Sequence, residues 1–322
     1  MSRALKVLLL VQKEQRVILD RFYDGIAQGC DCNIQLLTRE DQKNLRKYFS
    51  RNIQLGEFDR ILLFLRFKQE IRQVSFISSL PNLVILEHDA YQNYIPCKYT
   101  GAFSKYYRQL PWVRVISSGY KVAKKLREEG VDAVFVPKGY DHSLLRDLKQ
   151  ERDIELAFVG SIKSTAYSNR KAMLDSICEQ EPLLVMRTNS GDEYLQTLNR
   201  IRFFISADVG MGEYMIKNFE AMACGCVLFA YDQGEEENQA LGFIDMKNVV
   251  LYRTVEEFRK KLNFLRQQHE IADEISRQGK SLVERKYRFD ILGLQVVEAL
   301  QAPLRPWRRT KWWERIQMKW GL

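Results

Sequence analysis

Two carboxylates stand close together in the run Gly210-Met211-Gly212-Glu213-Tyr214-Met215-Ile216-Lys217-Asn218-Phe219-Glu220. The apolar spacing after Tyr214 predicts a helix to Ala223, a turn centred on Gly225 and a buried strand from Val227 to Ala230. Glu220 falls inside that helix, and Glu213 lies about two turns earlier beside a glycine-containing loop. A carboxylate accepts hydrogen bonds from a pair of hydroxyls. Exposed backbone amides at a helix start favour an anion. The combination suits a polyhydroxylated ligand that carries phosphate, and a nucleotide sugar is such a ligand.

Such residues need a frame that brings them together. Strand signals recur at Lys6–Val11, Asn33–Leu37, Phe58–Leu65, Leu83–Leu86, Trp112–Ser117 and Ala133–Val136, separated by helical patterns such as Val17–Ala27, Asp41–Phe49, Ile71–Leu80 and Lys121–Glu129. Strands that are apolar throughout and alternate with helices predict a parallel sheet covered on both faces, with ligands outside the carboxyl ends of the strands. The polar stretch Asp141–Asp153 reads as a boundary, after which the alternation restarts with Leu156–Gly160. Val255–Leu300 is helical by pattern, with a break near Tyr287. The expected division is residues 1–145, 146–285 and 286–322. The first two are α/β domains of the doubly wound, Rossmann-like kind facing a cleft, and the last is a return helix with a C-terminal amphipathic helix.

The chain has 322 residues, 46% of them apolar, and a formal net charge of +9. That composition supports two packed cores and excludes wholesale disorder. The N-terminal apolar run Val7–Val11 is too short for a signal peptide or a membrane span, which predicts a cytoplasmic protein. Six cysteines, including the C-x-C pairs Cys30/Cys32 and Cys224/Cys226, lack zinc-site spacing and are expected to be buried free thiols. No metal site is expected.

Glu220-Ala-Met-Ala-Cys-Gly, together with the upstream loop Gly210–Glu213, resembles the nucleotide-sugar signature of retaining GT-B glycosyltransferases of group 1 type, closest to the spore-maturation-protein-like branch. Phe158-Val159-Gly160-Ser161 with Arg170 resembles that family's domain opening. Ile116-Ser117-Ser118 through Val136-Pro137-Lys138-Gly139-Tyr140-Asp141 resembles the end of its first domain. The resemblance covers about residues 80–300. It implies a GT-B fold with a first, acceptor domain and a second, donor domain. It also implies transfer of a sugar from a nucleotide donor to a glycan or glycolipid, as in lipopolysaccharide or other cell-surface polysaccharide synthesis. No cofactor is implied, since the nucleotide sugar is a substrate, with a UDP-sugar favoured over a GDP-sugar.

The residue roles follow from the resemblance. Glu220 would hold the ribose hydroxyls. Arg170 and Lys163 would neutralise the leaving diphosphate, and Gly160, Ser161, Gly212, Tyr214 and Met215 would line the donor site. Glu213, His88 or Asp89 would touch the donor sugar. Gly234 and Glu235 line that site or form a plain surface turn. One departure stands out. The family spaces its carboxylates as E-x7-E, whereas Glu213 and Glu220 are E-x6-E, and Gly212 occupies the first position. Two alternatives follow: a catalytically impaired sensor or scaffold on the same fold, and a GT-B nucleotide-sugar epimerase.

Arg305–Leu322 carries six cations against one anion, and four of the five tryptophans fall after Pro306. On a helix, Trp312, Trp313, Ile316 and Trp320 gather within about 100° and Arg308, Lys311, Arg315 and Lys319 within an adjacent arc of about 80°. Such a helix suits an anionic membrane surface, placing the protein peripherally on the inner face of the cell membrane. Packing of the tryptophans on the protein body is the competing reading. Nucleic acid is not an expected partner, for no nucleic-acid-binding fold accompanies the tail.

Overall fold

A computed structural model describes residues 3–14, 18–308, 311, 313, 314 and 317. Its first half is a six-stranded sheet of β1 (Lys6–Gln12), β2 (Asp31–Leu37), β3 (Arg60–Phe64), β4 (Leu83–Glu87), β5 (Arg114–Ser117) and β6 (Asp132–Phe135), in the order β2-β1-β3-β4-β5-β6. The second is a five-stranded sheet of β7 (Ile154–Val159), β8 (Leu184–Met186), β9 (Ile201–Ser206), β10 (Val227–Tyr231) and β11 (Val250–Tyr252), in the order β11-β10-β9-β7-β8. Every strand pairing within the two sheets is parallel. The apolar strand cores explain this: Val7–Val11 and Leu83–Leu86 are at most 2% exposed, which requires helices on both faces.

In each sheet the order reverses beside the first strand of the domain, at β1/β3 and at β7/β9. Loops leaving those strands part to opposite faces and open a crevice. The sequence runs from one domain to the other without regular structure between Phe135 and Ile154, apart from a bridge between Tyr140 and Arg288.

Several elements differ from expectation. Asp41–Phe49 is two short helices, Arg39–Lys43 and Leu45–Asn52, because Asn44 leaves the helical conformation and caps the second. Ile71–Leu80 is not one helix; the chain makes two single turns, Phe67–Glu70 and Val74–Ile77. Helices Ala102–Arg108 and Glu235–Leu241 lack a clear signal. The long C-terminal segment breaks twice, at Gln268 as well as at Tyr287.

The last of its helices, Phe289–Gln301, crosses back onto the first domain and packs on helix Asp20–Gly29. Gly25 and Gly293 permit the approach, since a Cβ on Gly293 would stand 2.4 Å from the Gly25 carbonyl carbon. Phe289 meets Phe22 at 5.6 Å between ring centres, and Tyr287 meets Phe219 at 4.9 Å. A single apolar cluster therefore runs from Val7 and Leu9 through Phe22, Phe289 and Phe219 to Phe204, joining both domains. Burying each such aromatic contributes about 1.5–3 kcal/mol.

The six cysteines are free thiols, but only Cys224 and Cys226 are buried and Cys178 is exposed. The amphipathic tail falls almost entirely outside the described residues. Of its approach, Arg305 donates to the carbonyls of Pro111 and Gly130, and the Trp307 indole donates to that of Ser78. These acceptors precede β5, β6 and β4, so residues 305–307 lie at the end of the sheet opposite the crevice.

Candidate donor-binding site

A cleft of about 910 Å³ lies between the carboxyl ends of the two sheets. His88, Asp89, Gly160, Ser161, Arg170 and Met215 all line it. A side chamber of about 110 Å³ adjoins it, sharing Thr188, Ser190, Ile216 and Lys217, and Glu220 forms part of the chamber wall.

Glu220 sits on helix Ile216–Ala223 and is 8% exposed. The Tyr194 hydroxyl donates to its Oε2 at 2.6 Å. Its Oε1 has no partner among the described residues, which leaves acceptor capacity toward the chamber. Burial raises the Glu220 carboxyl from its ordinary value, while Lys217 and Tyr194 pull it back. Lys217 lies three residues earlier on the same helix, over the Tyr194 ring at 4.4 Å.

Arg170 comes from helix Ser168–Cys178 and reaches the cleft from the end of β7. Its Nη2 donates to Asp208 at 2.5 Å, its Nη1 donates to the Ser161 carbonyl, and its guanidinium stacks 4.2 Å from the Tyr167 ring centre. Its Nε is buried without a partner among the described residues. Asp208 is 2% exposed and gathers this region. It also accepts from Ser206, Asn218 and the Met215 amide, tying β9 to the start of helix Ile216–Ala223. That helix start faces the cleft beside Arg170, Arg187 and Lys217. Two helix-start amides, Ile216 and Lys217, the helix dipole and three cations together suit an anion there.

On the facing wall His88 packs 4.9 Å from the Phe64 ring centre. Burial and the nearby Lys138 charge push its pKa down to about 3, so it is a neutral imidazole. Glu87 beside it lines the cleft, and burial together with the nearby Asp89 raises its carboxyl well above the usual carboxylate range.

Four predicted residues are not on the cleft wall. Lys163 is exposed. Tyr214 is buried, its hydroxyl donating to Asn238. Gly212 has φ +74, a conformation in which a carboxylate-bearing residue is strained, and its amide donates to Gln233 rather than to the cleft. Glu213 is 1% exposed and accepts from Lys138 Nζ at 2.7 Å and from Ser118 at 3.0 Å. A Cβ on Gly119 would stand 2.6 Å from its Oε2, so Glu213 fills the space that the glycine leaves. The one-residue shift therefore turns this carboxylate away from the cleft and into a strut between the domains. Gly234 and Glu235 also lie away from the cleft, at the turn into helix Glu235–Leu241, where Glu237 accepts from the amides of Tyr120 and Lys121.

Tyr194, Asp208 and Glu87 were not anticipated. Only Glu87 carried a signal, as the last residue of a strand buried throughout.

Residues 139–291 match the family model described as glycosyl transferase-like. Those residues are similar to a glycosyltransferase domain, and the two parallel sheets form a GT-B fold. It is similar to HepE of Anabaena, solved in complex with UDP and glucose, at 13% identity and TM-score 0.69, covering 93% of this chain and 100% of that one. It is also similar to a glycosyltransferase from Rickettsia africae at 11% identity and TM-score 0.63, covering 92% and 98%. A third is the UDP-GlcNAc 2-epimerase of Neisseria meningitidis bound to UDP-GlcNAc, at 11% identity and TM-score 0.51, covering 92% and 99%. At these identities the likeness concerns the fold, which transferases and an epimerase share. No curated protein matches the sequence. Among the described residues, no helix is long and apolar enough to cross a membrane, and no group of three or more His, Cys, Asp or Glu is placed to hold a metal ion.

Proposed function

We propose that this glycosyltransferase moves a sugar from a UDP-sugar to a glycan or lipid-linked acceptor, with retention and without a metal. The observation that carries the reading is Glu220, a chamber carboxylate with a free oxygen, next to an anion site made by Arg170, Lys217 and the helix start. The chamber would take the nucleoside, with the ribose hydroxyls on Glu220. The diphosphate would lie across the helix amides, and the sugar would point toward His88 and Asp89. HepE and the epimerase, solved with UDP and UDP-GlcNAc, share this fold, and that supports a uridine donor. As the glycosidic bond breaks, charge builds on the leaving phosphate, where Arg170 and the amides would stabilise it. His88, a neutral imidazole, would hydrogen-bond a sugar hydroxyl rather than supply charge. The basic, tryptophan-rich tail favours a peripheral position on anionic membrane and hence a lipid-linked acceptor of the cell-surface polysaccharide kind.

The test is transfer of labelled sugar from UDP-sugars to membrane extracts and defined glycans, with anomer analysis of the product. A product of opposite anomeric configuration to the donor overturns retention. A second reading, the nucleotide-sugar sensor, is favoured by the diversion of Glu213 into its ion pair with Lys138. It predicts tight UDP-sugar binding with neither transfer nor hydrolysis. Appearance of an epimer from UDP-GlcNAc alone would instead identify an epimerase.

A further inference from the structure

The cleft holds more positive charge than a nucleotide sugar needs, and the surplus sits on the wrong wall for the donor. On the second-domain wall are Arg170, Arg187 and Lys217. Asp208 offsets part of the Arg170 charge, leaving roughly the two positive charges that a nucleotide-sugar diphosphate balances. On the first-domain wall, Lys138 is committed to Glu213. Three further cations, Arg39, Arg66 and Lys68, remain. Arg39 follows β2, and Arg66 and Lys68 follow β3, so the topology gathers all three at the carboxyl edge of the first sheet, facing the cleft.

None of the three has a carboxylate within 4 Å among the described residues, although Glu14, Glu87 and Asp89 line the same cleft. Arg66 is instead held by neutral acceptors. Its Nε donates to Gln12 Oε1 at 2.8 Å and its Nη2 to the Glu14 carbonyl at 3.2 Å. This arrangement fixes the plane of the guanidinium without neutralising it. Such a fork, backed by two free cations, suits a phosphoryl or carboxylate group.

We propose that Arg39, Arg66 and Lys68 form an acceptor subsite for an anionic group, so that the acceptor is a phosphorylated or carboxylated glycan. This rests on the donor reading above, because UDP must occupy the facing wall for this wall to be the acceptor's.

The test is titration of the UDP-saturated protein with glucose 6-phosphate, glucuronic acid and glucose, followed by ligand-observed NMR. UDP fills the donor anion site, so further anion binding reports on the first-domain wall. Glucose 6-phosphate or glucuronic acid is expected to bind at least tenfold tighter than glucose, and the tighter of the two identifies the group. The triple variant R39Q/R66Q/K68Q is expected to lose that preference while keeping UDP affinity within about twofold. Equal binding of the charged and neutral sugars would overturn the proposal. A loss of UDP affinity in the triple variant would overturn it too, by assigning the wall to the donor. Arg66→Lys separates charge from geometry: it is expected to retain anion binding in part, and retention of none with the fold intact makes the fork the determinant. If the wild-type protein binds no UDP, the donor reading fails on its own account, and the same titration without UDP, compared between the wild type and R39Q/R66Q/K68Q, still decides whether the wall prefers an anion: an anion preference that the triple variant keeps overturns the proposal.

Discussion

Glu213 shows how one residue of spacing changes a role. In E-x7-E its carboxylate would take the position of Gly212; here it is buried against Lys138 and Ser118. Removing one partner of a buried ion pair leaves an unpaired charge, at a cost of about 3–5 kcal/mol. Glu213→Gln is therefore expected to lower thermal stability by that order while changing UDP affinity less than twofold. A large loss of UDP-sugar affinity at unchanged stability would return Glu213 to the donor. A second buried acid makes a pH prediction. Glu70 is 1% exposed and burial pushes its carboxyl up to about 7, with the Tyr106 hydroxyl as its hydrogen-bond donor. Its raised folded value means that its stabilising contribution is present below about pH 4.5 and is lost as pH rises through 7. Glu70→Gln, which stays neutral, is expected to match the wild type near pH 4.5 and to exceed it by about 2–3 kcal/mol at pH 8, measured by thermal unfolding. Equal pH profiles for the two would contradict the assignment.

The elements that hold the site came out of the sequence unevenly. All eleven strands carried a signal: the inner strands are buried on both faces and apolar throughout, and the half-exposed edge strands β2 and β8 still keep short apolar runs. Helix Ile216–Ala223 was also legible, from its apolar spacing and the glycine turn after it. Helix Glu235–Leu241 was not, since seven mainly polar residues show little periodicity. Its position explains its composition: Glu237 accepts from the Tyr120 and Lys121 amides and so caps helix Tyr120–Glu128 from the other domain, and Glu236 pairs with Lys124. The acids answer a partner that lies more than a hundred residues away, and a local pattern does not carry that information. Glu237→Ala leaves the helix start uncapped. It is expected to cost about 0.5–2 kcal/mol and to speed amide exchange at Tyr120 and Lys121. Unchanged exchange there would mean that solvent already supplies the cap.

At the scale of the whole molecule, the two-domain architecture and its cleft were legible, and so was the placement of several candidate residues at that cleft. Arg170, Met215 and Glu220 are brought to the cleft or its chamber, as the sequence suggested. Tyr194, which holds Glu220, and Asp208, which holds Arg170, are set by contacts that only folding brings about. The return helix makes the domains share a core, so the cleft rests on a stiff base. Beyond it, residues 305–307 bind the opposite end of the first domain, and a truncation that tests membrane binding should begin after them. A chain ending at Arg308 is expected to keep its fold and UDP affinity and to lose binding to anionic liposomes in a flotation assay. Persisting liposome binding would move the membrane contact elsewhere.

The central claim is that Glu220 holds the nucleoside of the donor, and calorimetric titration of UDP into the wild type and Glu220→Ala tests it most directly. The account predicts clear binding by the wild type and a loss of about 1–3 kcal/mol in the variant, the scale of hydrogen bonds to a charged group. Equal UDP affinity in two equally folded proteins would contradict it.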